Sequence, residues 1–165
     1  MAGMEIRPVS PADAPFLAEA ILLAAFPPGP LPDGAAEMPH ARRWTDAWGR
    51  AGDAGAVAWR DGRRIGAAWC RVFTDALAVG PDGRAIPELA IAVIPECRSV
   101  GVGAALLAAL AREAASAGNP AVCLGVNARN PAHRLYVRDG WSEVRREGER
   151  VIMVKTLNPG AARCR

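Results

Sequence analysis

The residues best suited to chemistry lie between Glu88 and Ala104 of this 165-residue chain. Glu88 opens an apolar run that ends at Val93. Pro95-Glu96-Cys97 then leads into Arg98-Ser99-Val100-Gly101-Val102-Gly103-Ala104. An apolar strand that passes through a glycine-bearing loop into a helix is a place to hold an anion. Glycines let backbone N–H groups approach closely, and a helix start carries about half a positive charge. Arg98 adds a guanidinium able to grip an anion with two N–H groups. The pattern predicts a phosphate or pyrophosphate cradle. A dinucleotide fingerprint would need a third glycine where Leu106 stands, and a Walker loop would need lysine followed by serine or threonine, which the loop lacks. The plainer alternative is a glycine turn that only starts a helix.

Other reactive side chains are sparse. Tyr136 is the single tyrosine, and its phenol could act as a proton donor. Glu88 could accept a proton if burial raised its pKa, or it could be an exposed strand-end acid. Cys97 and Cys123 have no His or Asp partner at a readable spacing and read as small buried hydrophobes. His133 reads as solvated. The four cysteines form no CxxC pair, and only His40 and His133 could add imidazoles, so no metal site is expected. Trp44 and Trp48, one helical turn apart, could wall an acceptor pocket or pack onto a sheet.

The elements that must position these groups follow from periodicity and turn chemistry. Glu5–Val9 reads as a short edge strand, and Ser10-Pro11-Ala12-Asp13 opens a helix that Phe26 and the following prolines stop. A short helix is expected over Ala41–Gly49. Asp61-Gly62 marks a hairpin between strands around Val57–Trp59 and Ile65–Phe73. Strand Glu88–Val93 precedes a helix over Ala104–Ala117, which Gly118 ends in a left-handed conformation. Strand Ala121–Val126 follows, then a helix from Asn130 to about Asp139. Trp141–Arg146 and Val151–Leu157 form a last hairpin near Gly148. Alternating strands and helices of this kind give an α/β or α+β domain. A single domain is expected over 1–158, with 159–165 a frayed tail.

Composition sets wider bounds. Hydrophobic types make up 51% and charged types 22%, which excludes a disordered chain. Net charge is +3, with 20 basic residues scattered along the sequence, so no nucleic-acid footprint is expected. No apolar run is long enough to span a bilayer, and Met1–Ser10 lacks the pattern of a secretory leader, so a cytoplasmic protein with reduced thiols and no membrane partner is expected.

Two motifs in register with these elements resemble the GNAT family of acyltransferases. Arg98-Ser99-Val100-Gly101-Val102-Gly103-Ala104 is similar to that family's Arg/Gln-x-x-Gly-x-Gly/Ala loop. Asn130-Pro131-Ala132-His133-Arg134-Leu135-Tyr136, with Asp139-Gly140-Trp141 beyond it, is similar to its Asn-Pro-Ala-x-x-Leu-Tyr…Gly-Phe segment. The match covers residues 85–145, and 27–55 match weakly. Ser99 stands where the family commonly has glycine, Trp141 replaces phenylalanine, and Val137 and Arg138 also depart from it.

The resemblance implies a mixed, mostly antiparallel twisted sheet with flanking helices. It places acyl-CoA in a cleft between two splayed parallel strands. It further implies that residues 98–104 bind the coenzyme pyrophosphate and that backbone groups near Val93 hold pantetheine and polarise the thioester. Asn130 would be a coenzyme contact or a simple helix cap. Tyr136 falls where the family places a tyrosine facing the thioester sulfur, and Glu88 near where some relatives carry a glutamate acting through water. The implied activity is metal-free acetyl transfer from acetyl-CoA to an amine in a ternary complex, by a monomer or homodimer. A small-molecule acceptor is expected, with a protein N-terminus or lysine as the enzymatic alternative. A non-catalytic acyl-CoA-binding domain and a nucleotide-binding module are the rivals from other classes.

Overall fold

The computed structural model describes residues 3–26 and 29–157. The expected tail at 159–165 and Cys164 lie outside them. Seven strands form one sheet: β1 (Glu5–Pro8), β2 (Ala54–Arg60), β3 (Arg63–Arg71), β4 (Glu88–Val93), β5 (Ala121–Asn127), β6 (Ser142–Glu147) and β7 (Arg150–Thr156). Their spatial order is β1-β2-β3-β4-β5-β7-β6, and every neighbouring pair is antiparallel except β4 with β5. The helices are α1 (Ala14–Ala25), α2 (Pro39–Arg42), α3 (Val102–Ser116) and α4 (Ala132–Arg138). This is the mixed, mostly antiparallel architecture that the sequence motifs implied.

Local chemistry accounts for the boundaries. Asp61 and Gly62 take φ of 52° and 74°, the two left-handed positions of a tight hairpin turn between β2 and β3. Gly118 takes φ of 87° just past α3 and ends it. The start of α1 is held by Asp13, whose Oδ2 accepts from the Ser10 backbone N–H at 2.8 Å and the Ser10 hydroxyl at 2.9 Å. Arg64 Nε donates to the other carboxylate oxygen at 2.7 Å, which ties this helix start to β3.

The sheet separates two cores. On one face α3 and α4 cover Ala56, Ala68, Cys70, Leu89, Val122 and Leu124 through Leu106, Leu110 and Tyr136. On the other, α1 brings Leu17 and Ile21 against Val57, Ala67, Trp69, Ala90 and Ala92. The alternation of strand side chains sends odd-numbered β4 residues to the α3 face and even-numbered ones to the α1 face. Each large apolar side chain buried in this way contributes about 1.5–3 kcal/mol.

One expected element differs. The helix over Ala41–Gly49 is instead α2, Pro39–Arg42, followed by hydrogen-bonded turns to Asp46. Arg71 is the reason. Its fully buried guanidinium binds Asp53 through Nε at 3.0 Å and Nη2 at 2.7 Å. It also donates to the carbonyls of Arg43 (3.1 Å), Asp46 (2.7 Å) and Ala47 (3.1 Å). Carbonyls drawn to one guanidinium cannot continue a helical ladder, and Ala47 turns to φ of 49°.

Candidate active site

The sheet is open at its centre. β4 and β5 pair in parallel at a single position, Glu88 opposite Cys123, where the Cys123 N–H donates to Pro87 O at 2.8 Å. Ile94 N–H donates instead toward β3, to Ile65 O at 3.0 Å. Backbone direction alternates along a strand, so Ile91 and Val93 turn their peptide groups toward β5. Beyond Glu88 β5 offers them no paired residue, and a strip of backbone groups without strand partners lines the splay.

This strip leads into the glycine loop. After Val93, a short 3₁₀ turn (Pro95–Cys97) carries the chain to Arg98, and α3 begins at Val102. Ser99 at φ of 61° and Gly101 at φ of 87° are both left-handed. With Arg98 extended before them, these two left-handed residues bend the loop sharply as it enters α3, and successive N–H groups in such a turn can form an anion-binding nest. Gly101 is the helix N-cap and supplies no side-chain acceptor, so the first N–H groups of α3 stay free for a ligand. Space for 4 Å around the missing Gly101 side chain is empty, whereas a Cβ on Gly103 would lie 3.4 Å from Leu135 of α4. The first turn of α3 and the middle of α4 therefore flank the same opening.

Arg98 does more here than its charge suggested. Its Nε donates to Val93 O at 2.9 Å and so clamps the loop to the end of β4, leaving its terminal nitrogens outward. Asn130 Oδ1 accepts from the Ala132 N–H at 2.9 Å and caps the start of α4.

Ser99 pays a conformational cost for its left-handed φ. A non-glycine residue there costs roughly 1–2 kcal/mol, against roughly 0.5–1 kcal/mol of extra entropy that glycine loses on folding. Ser99→Gly is expected to stabilise the protein by up to about 1 kcal/mol, a rise in melting temperature of about 2–4 °C by calorimetry. A fall would show that the hydroxyl holds the loop.

Tyr136 is 6% exposed and meets Trp141 edge to face, with ring centroids 5.8 Å apart. Burial pushes its phenol up to about 12, so the group stays protonated in neutral solution. Among the described residues the hydroxyl has no hydrogen-bond partner, yet it is not an orphaned buried atom, so it keeps contact with solvent. Glu88 is half-buried on the α1 face, between Arg71 of β3 and Cys123 of β5. Burial raises its pKa above the ordinary carboxylate value, against the opposing pull of Arg150 and then Arg43.

Cys70, Cys97 and Cys123 are buried free thiols. Burial pushes Cys70 and Cys123 up to about 12, which suppresses the nucleophilic thiolate. Trp44 is buried edge-on against Trp69 and Phe73, and its carbonyl accepts from Trp69 Nε1 at 3.1 Å. Trp48 is half-buried, with the Arg71 guanidinium 5.4 Å from its ring centre. Among the described residues no group of His, Cys, Asp and Glu side chains could hold a metal ion, and no helix is long and apolar enough to cross a membrane.

Comparison with known proteins agrees with this geometry. The family model described as Acetyltransferase (GNAT) family matches residues 19–141. The fold is similar to the ribosomal-protein-alanine N-acetyltransferase of Brucella melitensis, at 25% identity and a TM-score of 0.68 over 93% of this chain and 99% of that one. A GNAT superfamily phosphinothricin acetyltransferase of Sinorhizobium meliloti, solved with acetyl-CoA, aligns at 24% identity and a TM-score of 0.68 over 98% of this chain and 92% of that one. The PaiA N-acetyltransferase of Thermoplasma acidophilum, in complex with coenzyme A, aligns at 18% identity and a TM-score of 0.66 over 93% of this chain and 99% of that one. The sequence matches no curated protein.

Proposed function

The chain belongs to the GNAT acetyltransferase family, and we propose that it moves an acetyl group from acetyl-CoA to the primary amine of a small molecule by direct attack in a ternary complex. The observation that carries this reading is the continuity of the β4–β5 splay with the nest at Ser99–Gly101. An extended strip of backbone hydrogen-bonding groups ending in an anion site fits an amide-bearing tether with a pyrophosphate at its far end. In this reading the N–H groups of Gly101, Val102, Gly103 and Ala104 take the pyrophosphate, with Ser99, Val100 and Arg98 around it. The Val93 backbone meets the pantetheine arm, and Asn130 orders the start of α4 beside it.

Acetyl-CoA supplies an acetyl group already activated as a thioester. The protein has to orient it, stabilise charge on two atoms and take a proton from the amine. Backbone N–H groups turned into the splay point at the developing oxyanion, and donors so placed contribute about 2.7–4 kcal/mol each. Tyr136 O–H donates to the sulfur as it leaves. Because burial holds the phenol near 12, above a thiol's ordinary value of about 8.5, a strong hydrogen bond to the thiolate is favoured over complete proton transfer. Glu88 receives the amine proton through water. Holding both reactants contributes roughly 7–11 kcal/mol in addition.

The Glu88 role has a pH signature. The working form is the carboxylate, so kcat/KM falls as pH drops through a value that burial has lifted above the ordinary range. Glu88→Gln is expected to remove that acidic limb and lower the rate roughly ten- to a hundred-fold, read from initial rates across pH. A limb that survives the substitution assigns it to another group.

Release of the CoA thiol from acetyl-CoA across a panel of small primary amines tests the whole reading. Amine-dependent release is expected. Binding of acetyl-CoA without release over a chemically broad panel would favour a binding domain that does not turn over. The likeness to a ribosomal-protein-alanine N-acetyltransferase supports a second acceptor reading, a peptide N-terminus, and short alanine-starting peptides belong in the same panel.

A further inference from the structure

One cation near the splay has a placement that the coenzyme does not explain. Arg150 opens β7 opposite Asn127, yet its side chain lies over Gly125, two residues back along β5. A Cβ on Gly125 would come within 2.8 Å of Arg150 Nε and 3.0 Å of Nη2, so the end of the Arg150 side chain would have to move aside. The missing side chain of Gly125 is thus the seat of the guanidinium. Gly125 is itself exposed, and strand alternation from Cys123 places it on the Glu88 side of the sheet. Among the described residues the Arg150 guanidinium makes no hydrogen bond or salt bridge. Its chain neighbour Glu149 is taken by Arg129 at 2.8 Å, and Glu147 by Arg145 at 2.8 Å. Arg43, the other cation acting on Glu88, is paired with Asp75. An exposed guanidinium with no such partner among the described residues therefore sits roughly 7 Å along β5 from the position opposite Glu88, on the face away from α3 and α4.

We infer that Arg150, seated on Gly125, binds the carboxylate of the acceptor, so that the substrate class is a free α- or β-amino acid whose amine faces the splay. This rests on the acetyl-transfer reading above. An amino acid complements the site at both ends: its carboxylate meets the planar donor fork of Arg150, and its amine reaches toward Glu88 and the splayed strand. A simple alkylamine or a peptide N-terminus leaves the guanidinium without a partner.

The test uses a panel of amino acids, each paired with its own carboxamide, with thiol release measured for the full chain and for Arg150→Gln, Arg150→Lys and Gly125→Ala. The readout is the variant's acid-to-amide ratio of kcat/KM divided by the same ratio in the parent chain, which cancels the different amine pKa values of each pair. Arg150→Gln is expected to lower the ratio roughly ten-fold or more, chiefly through KM. Arg150→Lys should restore part of it. Gly125→Ala keeps every charge but displaces the guanidinium from its seat, and should lower the ratio as well. Turnover of amides or peptides at an acid-to-amide ratio that Arg150→Gln leaves unmoved overturns this inference alone. Release with simple amines or alanine-starting peptides but with no amino acid also overturns this inference alone, whereas absence of release over the amino acids and the broad amine panel together overturns the acetyl-transfer reading, and this inference with it.

Discussion

Arg71→Met is expected to destabilise the protein by about 3–5 kcal/mol, the cost of leaving a buried partner charge uncompensated. For a chain of this size that is a drop in melting temperature of roughly 6–20 °C. Methionine fills much of the space but offers no donor. It leaves the Asp53 carboxylate, 3% exposed, with only the Gly49 and Arg50 backbone N–H groups and no opposing charge, and the carbonyls of Arg43, Asp46 and Ala47 without the N–H groups that now satisfy them. The double variant Arg71→Met/Asp53→Leu separates charge from carbonyls. Removing the stranded acid also frees the Gly49 and Arg50 N–H groups, so it should recover only part of the loss, and full recovery would show that these groups and the three carbonyls contribute little. Arg71 also ties the segment from Arg43 to Asp53 to β3, directly across from Glu88. Chemical denaturation checks the stability change, and KM for the acceptor should rise while KM for acetyl-CoA changes far less.

Tyr136→Phe is expected to lower kcat by ten-fold or more, about 1.4 kcal/mol or greater, with KM for acetyl-CoA within about two-fold of the parent. The substitution keeps the ring and its edge-to-face contact with Trp141, so folding stability should barely move. That separation decides the role. The hydroxyl has no protein partner among the described residues and retains contact with solvent, so its loss removes no bond from the folded state. Because the phenol is pushed up to about 12, no alkaline limb from Tyr136 should appear in the pH profile below that range. An unchanged kcat would return Tyr136 to ordinary packing.

How much of this was legible in the sequence depends on the range of the interactions. The β2–β3 hairpin was readable because its turn places both Asp61 and Gly62 at positive φ, a demand written in two adjacent residues. The β4–loop–α3 unit and the stop at Gly118 are local for the same reason. Ser99 was visible as a departure from the family loop, and its φ of 61° supplies the physical reason glycine is common there. The segment around Trp44 and Trp48 was not readable. A one-turn spacing suggests a shared helix face, but α2 has ended at Arg42, because Arg71 gathers carbonyls 24 to 28 positions before it in the chain. Trp44 turns inward there and packs edge-on against Trp69 and Phe73. The seating of Arg150 on Gly125 was equally hidden, since neither residue shows its partner locally and a glycine inside a strand has several possible meanings. Arg98 was found by its motif, whereas its bond to Val93 O depends on the turn at Pro95–Cys97.

In the proposed function the splay and the nest together hold acetyl-CoA. Titration of ¹⁵N-labelled protein with acetyl-CoA, followed through backbone amide resonances, tests it most directly. Saturable shifts are expected at Ile91, Val93, Gly101, Val102 and Gly103, with β1 and the start of α1 unmoved, and no such response to ATP or NAD. Saturation without movement of these amides, or the same movement on adding ATP, would contradict it.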